Sequence, residues 1–175
     1  NVVENFSGAG QIADWSDVTI NGSGSFTMGR DDTIGTLTLN DGADLDTGIR
    51  TLSLSGSGSV TVNSAGSSST ISGKLDVGTG AVCTFNANGG EFHVAARLSG
   101  SINIVKTGGG TMYLDASNTF TGTFTVDQNM LAISHPWALG STNKGTSVTN
   151  TGFLALNADS IGVSGEPLTL APSTS

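Results

Sequence analysis

Cysteine is all but absent: Cys83 is the only one, so no disulfide can close within the chain. Set beside Val82, Thr84 and Phe85 in an alternating stretch, it reads as a small buried hydrophobe. Charge is scarce as well, at 11% of residues against about a quarter in ordinary soluble chains. What charge there is leans one way, with 14 Asp and Glu against six Lys and Arg. Six scattered cations in a chain of net charge −8 argue against nucleic acid as a partner and against an anionic membrane surface. No apolar run approaches the ~18 residues of a membrane-spanning helix, so insertion of this segment into a bilayer is not expected. The opening NVVENFSGAG lacks an initiating Met and the basic-then-apolar layout of a secretion signal, and together with the closing EPLTLAPSTS it suggests a mature or excised segment. Helix is missing too. No window repeats apolar residues at i, i+3, i+4 and i+7 without glycine or β-branched interruption, and MLAISHPWALG, the best stretch, contains Pro136 and allows one turn at most.

Neutral polar residues fill the gap left by charge. The chain has 26 glycines and abundant Ser, Thr and Asn, and apolar residues alternate with them at period two throughout. TLTLN carries Leu37 and Leu39, TLSLS carries Leu52 and Leu54, SVTVN carries Val60 and Val62, and TFTVD carries Phe124 and Val126. Each such run predicts a short strand with one apolar face.

A longer period lies above this one. Three blocks of about 23 residues stack without a gap: Ile34 to Gly56, Ser57 to Thr79 and Gly80 to Ile102. In that register Leu37, Val60 and Cys83 coincide, as do Leu39, Val62 and Phe85. Leu52, Leu75 and Leu98 form another column, and Asn40, Asn63 and Asn86 a polar one just after the first strand. Columns at a fixed spacing predict parallel strands piled about 4.8 Å apart. The fold class expected is therefore all-β: a parallel β-helix, or β-solenoid, three-sided and of about six to eight turns in one domain. Regular turns span 33–102, and an irregular loop leaving the stack is expected at 134–146. The Asn column is expected to sit in left-handed corner geometry, with each amide bonded to its neighbours above and below.

After the regular block comes KTGGGTMYLDASNTFTGTFTVDQNMLAISHPWALG, Lys106 to Gly140. This stretch resembles the autotransporter-associated β-strand repeat, also called the passenger-associated transport repeat, of bacterial surface proteins. The pattern is carried by Lys106, Gly108, Gly110, Asn118, Thr119, Phe120, Gly122, Val126 and Leu131. Flanking segments TIGTLTLNDGADLDTG and TGFLALNADSIGVSGEPLTL extend the likeness over most of the chain. The resemblance implies a right-handed β-helix in a secreted or surface-displayed bacterial protein, with the repeat as scaffold and folding aid and none of its residues catalytic. One departure is DQNML at Asp127 to Leu131, which lacks the glycine usual before the last apolar residue, so a different corner is expected there. No C-terminal membrane barrel is expected from these residues, which leaves the export route open.

Residues able to do chemistry are few. Asp44 and Asp46 in DGADLD share one strand face and offer paired carboxylates for glycosidic acid-base work or a calcium contact, against the simpler reading of solvated corner carboxylates. His93 and His135 stand outside zinc-ligand spacing and read as surface or corner residues. The glycine runs SGAG at 7–10 and KTGGGT precede no helix whose N-terminus could hold phosphate. Trp15, Tyr113, Trp137 and Phe153 face outward by parity or loop position. Were Tyr113 and Phe153 aligned on one sheet, they would make a weak glycan or protein contact. The function expected is a non-enzymatic structural segment of a large bacterial extracellular repeat protein: a rigid stalk or spacer, an adhesin, or a filament module. Its partners would be adjoining repeats or identical chains joined end to end, and it needs no cofactor or metal. A glycan-binding surface module is the alternative, and a β-helix polysaccharide-degrading enzyme a more distant one.

Overall fold

Alternating strands with one apolar face must bury that face, and this chain does so by winding around it. The computed structural model of the chain describes residues 2–5, 12–157, 163 and 165–171, so the SGAG run lies outside the described residues. Among them there are fourteen strands and no helix. In chain order these are β1 (Val2–Asn5), β2 (Asp17–Ile20), β3 (Ser25–Met28), β4 (Asp32–Asn40), β5 (Asp44–Asn63), β6 (Ser68–Asp76) and β7 (Val82–Asn88). There follow β8 (Glu91–Val94), β9 (Arg97–Ser99), β10 (Asn103–Thr107), β11 (Thr111–Leu114), β12 (Phe124–Ile133), β13 (Thr146–Leu156) and β14 (Leu168–Leu170).

Every pairing is parallel, and strands pair with partners one turn away, giving a β-solenoid of about seven turns. Three ladders form, one per face; two run its length and the third spans β4, β5, β6 and β9. On the first, Val18, Leu37, Val60, Phe85, Lys106, Val126, Val148 and Leu170 occupy successive rungs. The second stacks Phe26, Leu45, Ile71, Val94, Leu114, Ile133 and Leu156. The third stacks Leu52, Leu75 and Leu98, as the 23-residue blocks predict. These side chains point inward to one continuous core, with Leu37, Val60, Phe85, Leu75 and Leu98 fully buried. Complete burial of each such group stabilises the turn by about 1.5–3 kcal/mol.

The three predicted columns that pass through β7 all slip by two residues, so Cys83 does not continue Leu37 and Val60, nor Phe85 Leu39 and Val62. Asn40 faces Asn63, yet Asn63 faces Asn88, while Asn86 lies opposite Thr61. Phe85 accordingly opposes Val60, and Cys83 opposes Ile104 on the following turn. The corner before β7 is two residues longer than its counterpart in the previous turn, and the tight pair Gly89 and Gly90, both at positive φ, restores the spacing before β8. A slip of two leaves every side chain on its original face, so the apolar pattern is blind to it. The amide ladder forms nonetheless, as Asn21–Asn40–Asn63–Asn88. Asn40 Nδ2 donates to Asn21 at 2.7 Å, Asn63 Nδ2 to Asn40 at 2.9 Å and Asn88 Nδ2 to Asn63 at 3.0 Å. Its members are not left-handed, contrary to expectation. They end or directly follow their strands, and the left-handed residues come next, at Asp41 (φ 54°) and Gly89 (φ 77°). Nor does the segment after β12 leave the stack. It carries no strand, but Trp137 O accepts the Asn118 amide and Ser141 N donates to Phe120 O, tying it to the turn below.

Candidate functional site

Lys106 follows Ile102 and Ile104 at alternate positions, and strand parity carries its side chain inward with theirs. It fills the inward column between Phe85 and Val126 and is fully buried. An ammonium has three N–H donors. All three are engaged: Nζ reaches Gly108 O at 3.1 Å, Gly110 O at 2.7 Å and Gln128 O at 2.6 Å. The lysine thus closes its own glycine corner and bonds it to the next turn, while burial pushes its pKa down from 10.5 to about 8. Gly108 stands at φ 83°, and a Cβ there would overlap the Ala87 carbonyl, so the tight corner demands glycine. Its amide donates to Gln128 Oε1 at 2.9 Å. The missing glycine of DQNML turns out to be replaced in kind: Asn129 adopts φ 51°, a left-handed geometry that Asn tolerates.

Asn118 does on the third face what Lys106 does on the first. Buried next to Leu98 in the core, its Oδ1 accepts the Leu98 amide at 2.7 Å and its Nδ2 donates to Ala138 O at 2.6 Å. One side chain therefore links the turn below to the turn above. Phe120 is buried against Phe124 with ring centroids 6.0 Å apart, and Val126 continues the inward column. A Cβ at Gly122 would overlap the Ile102 carbonyl, so this position too admits only glycine without a backbone shift. Thr119 is exposed, with its amide donating to Leu98 O at 2.8 Å. Every motif residue so placed is occupied in holding turns together.

The acidic pair is similarly committed. Asp44 and Asp46 share the outer face, as predicted, but Asp44 Oδ1 accepts the Thr70 amide at 2.7 Å. Asp46 Oδ1 accepts the Gly48 amide at 2.9 Å and the Ser72 hydroxyl at 3.0 Å. In the neighbouring corner Asp31 Oδ1 accepts the Thr51 amide at 2.8 Å. These carboxylates fasten one turn to the next. Among the described residues no three His, Cys, Asp or Glu side chains are grouped to hold a metal ion. Cys83 is buried, and desolvation pushes its thiol up to about 12, well away from a reactive thiolate.

One polar constellation escapes sequence reasoning. On the outer face of β8 and β11, His93 pairs with Tyr113 across the ladder, and their rings stack with centroids 4.3 Å apart and parallel planes. His93 Nδ1 lies 3.1 Å from Asp115 Oδ2, and Nε2 lies 3.6 Å from Glu91 Oε2. Tyr113 Oη donates to Glu91 Oε1 at 3.3 Å; burial, then the Glu91 charge, raise its pKa. Ser134 Oγ donates to Asp115 Oδ1 at 2.8 Å, completing a chain over three turns. Serine, histidine and aspartate are all present, but in the wrong order for an activated nucleophile. The hydroxyl bonds the carboxylate, and both ring nitrogens face carboxylates, which leaves His93 no free nitrogen to draw a proton from Ser134. The arrangement locks strands. Turn spacings of 20 and 19 residues here, against 23 in the regular block, hid it from the sequence. Phe153 does not join it: Phe153 faces Met130, whereas Tyr113 faces Ala132, so the rings lie in different rows.

No family model matches the chain, and neither a curated protein nor a solved structure matches it.

Proposed function

We propose that the chain is a non-enzymatic structural segment of a large bacterial extracellular repeat protein, of the kind its central motif resembles, and that it serves as a rigid rod. The observation that carries this reading is where its polar side chains are spent. Lys106, Asn118, Asp44, Asp46 and the His93 constellation all bond from one turn to the next. A reactive site would keep some of those groups free for a substrate, whereas a load-bearing column gains from using them all. Inward columns also run to the last described turn, where Leu156, Leu168 and Leu170 are 57%, 51% and 72% exposed. Such a face suits cover by adjoining repeats or by the first turn of an identical chain, which makes the rod a stalk, an adhesin shaft or a filament module.

Electron microscopy combined with sedimentation over a wide concentration range tests the proposal. Rods of roughly 35 Å per chain, at about 4.8 Å per turn, should appear singly or joined end to end. Hydrolysis of any polysaccharide in a substrate screen, abolished by Asp44→Asn or Asp46→Asn, would defeat it.

A further inference from the structure

On the third face of the solenoid, Lys74 of β6 and Arg97 of β9 pair directly in register. Neighbouring rungs stand about 4.8 Å apart, and like charges so placed are destabilising. The chain has 14 acidic residues with which to relieve this, yet among the described residues neither cation forms an ion pair. Asp76, two positions along from Lys74 on the same face, is engaged elsewhere. Its carboxylate accepts the Gly78 amide at 2.8 Å and the Ser99 hydroxyl at 3.2 Å. Lys74 Nζ is held by Ile49 O at 3.1 Å, which fixes its position and leaves two N–H groups unused among the described residues. The fork of Arg97 meets no acceptor among the described residues. Around these two cations Thr51, Ser99 and Thr119 complete a cleft of about 240 Å³.

We propose that this cleft binds an acidic saccharide, its carboxylate set across Lys74 and Arg97 and its hydroxyls toward Ser99 and Thr119. Size limits the occupant, because the space is smaller than the ~300–1,000 Å³ of sites for drug-sized ligands and suits one sugar unit of a chain lying on the face. Chemistry limits it further. The cleft offers hydroxyls and cations but no aromatic or aliphatic anchor of the sort that dominates peptide and protein contacts. Two cations on a chain of charge −8 are too few for a nucleic-acid backbone. An arginine fork matches a carboxylate in bidentate fashion, and the lysine supplies a point charge beside it. The site is independent of whether the rod is a stalk or a filament.

Polygalacturonate, its fully methyl-esterified form and polyglutamate serve as probes at about 0.15 M salt, where the screening length of about 8 Å mutes distant carboxylates but not adjacent rungs. Polygalacturonate should bind, the ester should not, and the double variant Lys74→Gln, Arg97→Gln should bind about tenfold more weakly or worse. Its melting temperature should hold or rise, since a repulsion is removed. Thr119→Ala alone should weaken binding about threefold with charge unchanged, separating sugar recognition from simple attraction. Equal binding of the ester, undiminished binding by the double variant, or no binding of polygalacturonate would each overturn the proposal. Polyglutamate bound as tightly as polygalacturonate would overturn the saccharide assignment.

Discussion

Turns 34–102 and the motif turn at 106–140 solve the same stacking problem with different chemistry. In the first region Leu52, Leu75 and Leu98 pile up on one inward ladder, and the polar groups buried there are only the small hydroxyls of Thr47, Ser64 and Ser69. In the second, Lys106 and Asn118 enter the inward columns; Lys106 spends its donors on its own corner and the next turn, and Asn118 its polar atoms on the turns below and above. An apolar column holds turns together without prescribing their exact spacing, since a leucine tolerates a shift of register by two. A buried ammonium aimed at three carbonyls tolerates none. The comparison teaches that the motif turn specifies geometry, whereas the regular turns supply bulk stability.

Breaking the motif turn should cost most. Lys106→Ala removes a fully buried side chain and orphans three carbonyls, so a loss of about 4 kcal/mol or more is expected in denaturant unfolding. Lys106→Met keeps the volume and should still lose about 2 kcal/mol; a methionine variant as stable as the parent would show that packing, not hydrogen bonding, is what the lysine supplies. In the regular turns Leu75→Ala should cost about 2–5 kcal/mol, and its effect should track cavity size and show no pH dependence. Asn118→Leu converts the motif turn toward a regular one and should lose about 1–3 kcal/mol, because the Leu98 amide and Ala138 carbonyl go unpaired.

A milder probe of the same contrast is pH. Burial holds Lys106 at about 8 in the folded chain against 10.5 ordinarily, so between those values the unfolded chain binds more protons and stability should rise with pH. Below about 8 the lysine is protonated in both states and contributes no slope. Cys83, pushed up to about 12 by burial, acts in the opposite direction once pH passes 9. Subtracting the curve of Lys106→Met from that of the parent therefore isolates the lysine, and a difference without upward slope would contradict its burial. Smallest of all should be the exposed amide ladder. Asn88→Ala is expected to lose under about 1 kcal/mol and Asn86→Ala less still, a pair that reads the register directly.

Much of this architecture was legible in advance because period-two alternation and matching columns are local and repeated. Leu52, Leu75 and Leu98 stack as the 23-residue blocks predict, and Asn40 meets Asn63. The choice between Asn86 and Asn88 was not legible, for both have the same parity and only corner lengths distinguish them. Lys106 was recognisable as a motif residue, and parity with Ile102 and Ile104 pointed it inward, but charge argued for the surface. Three acceptors contributed by two different turns reversed that preference. Glu91, His93, Tyr113, Asp115 and Ser134 could not be grouped at all, since uneven turn lengths conceal which residues share a row.

By itself the sequence determined that this chain would wind into stacked parallel strands, because alternation dictates one buried face per strand and repetition dictates that those faces meet. Tertiary structure alone decided the register, the burial of a lysine and the meeting of the cations Lys74 and Arg97 on one face. The reason is physical: inward or outward orientation is a property of each strand, whereas vertical neighbours depend on the lengths of corners whose glycines and serines carry no periodic signal.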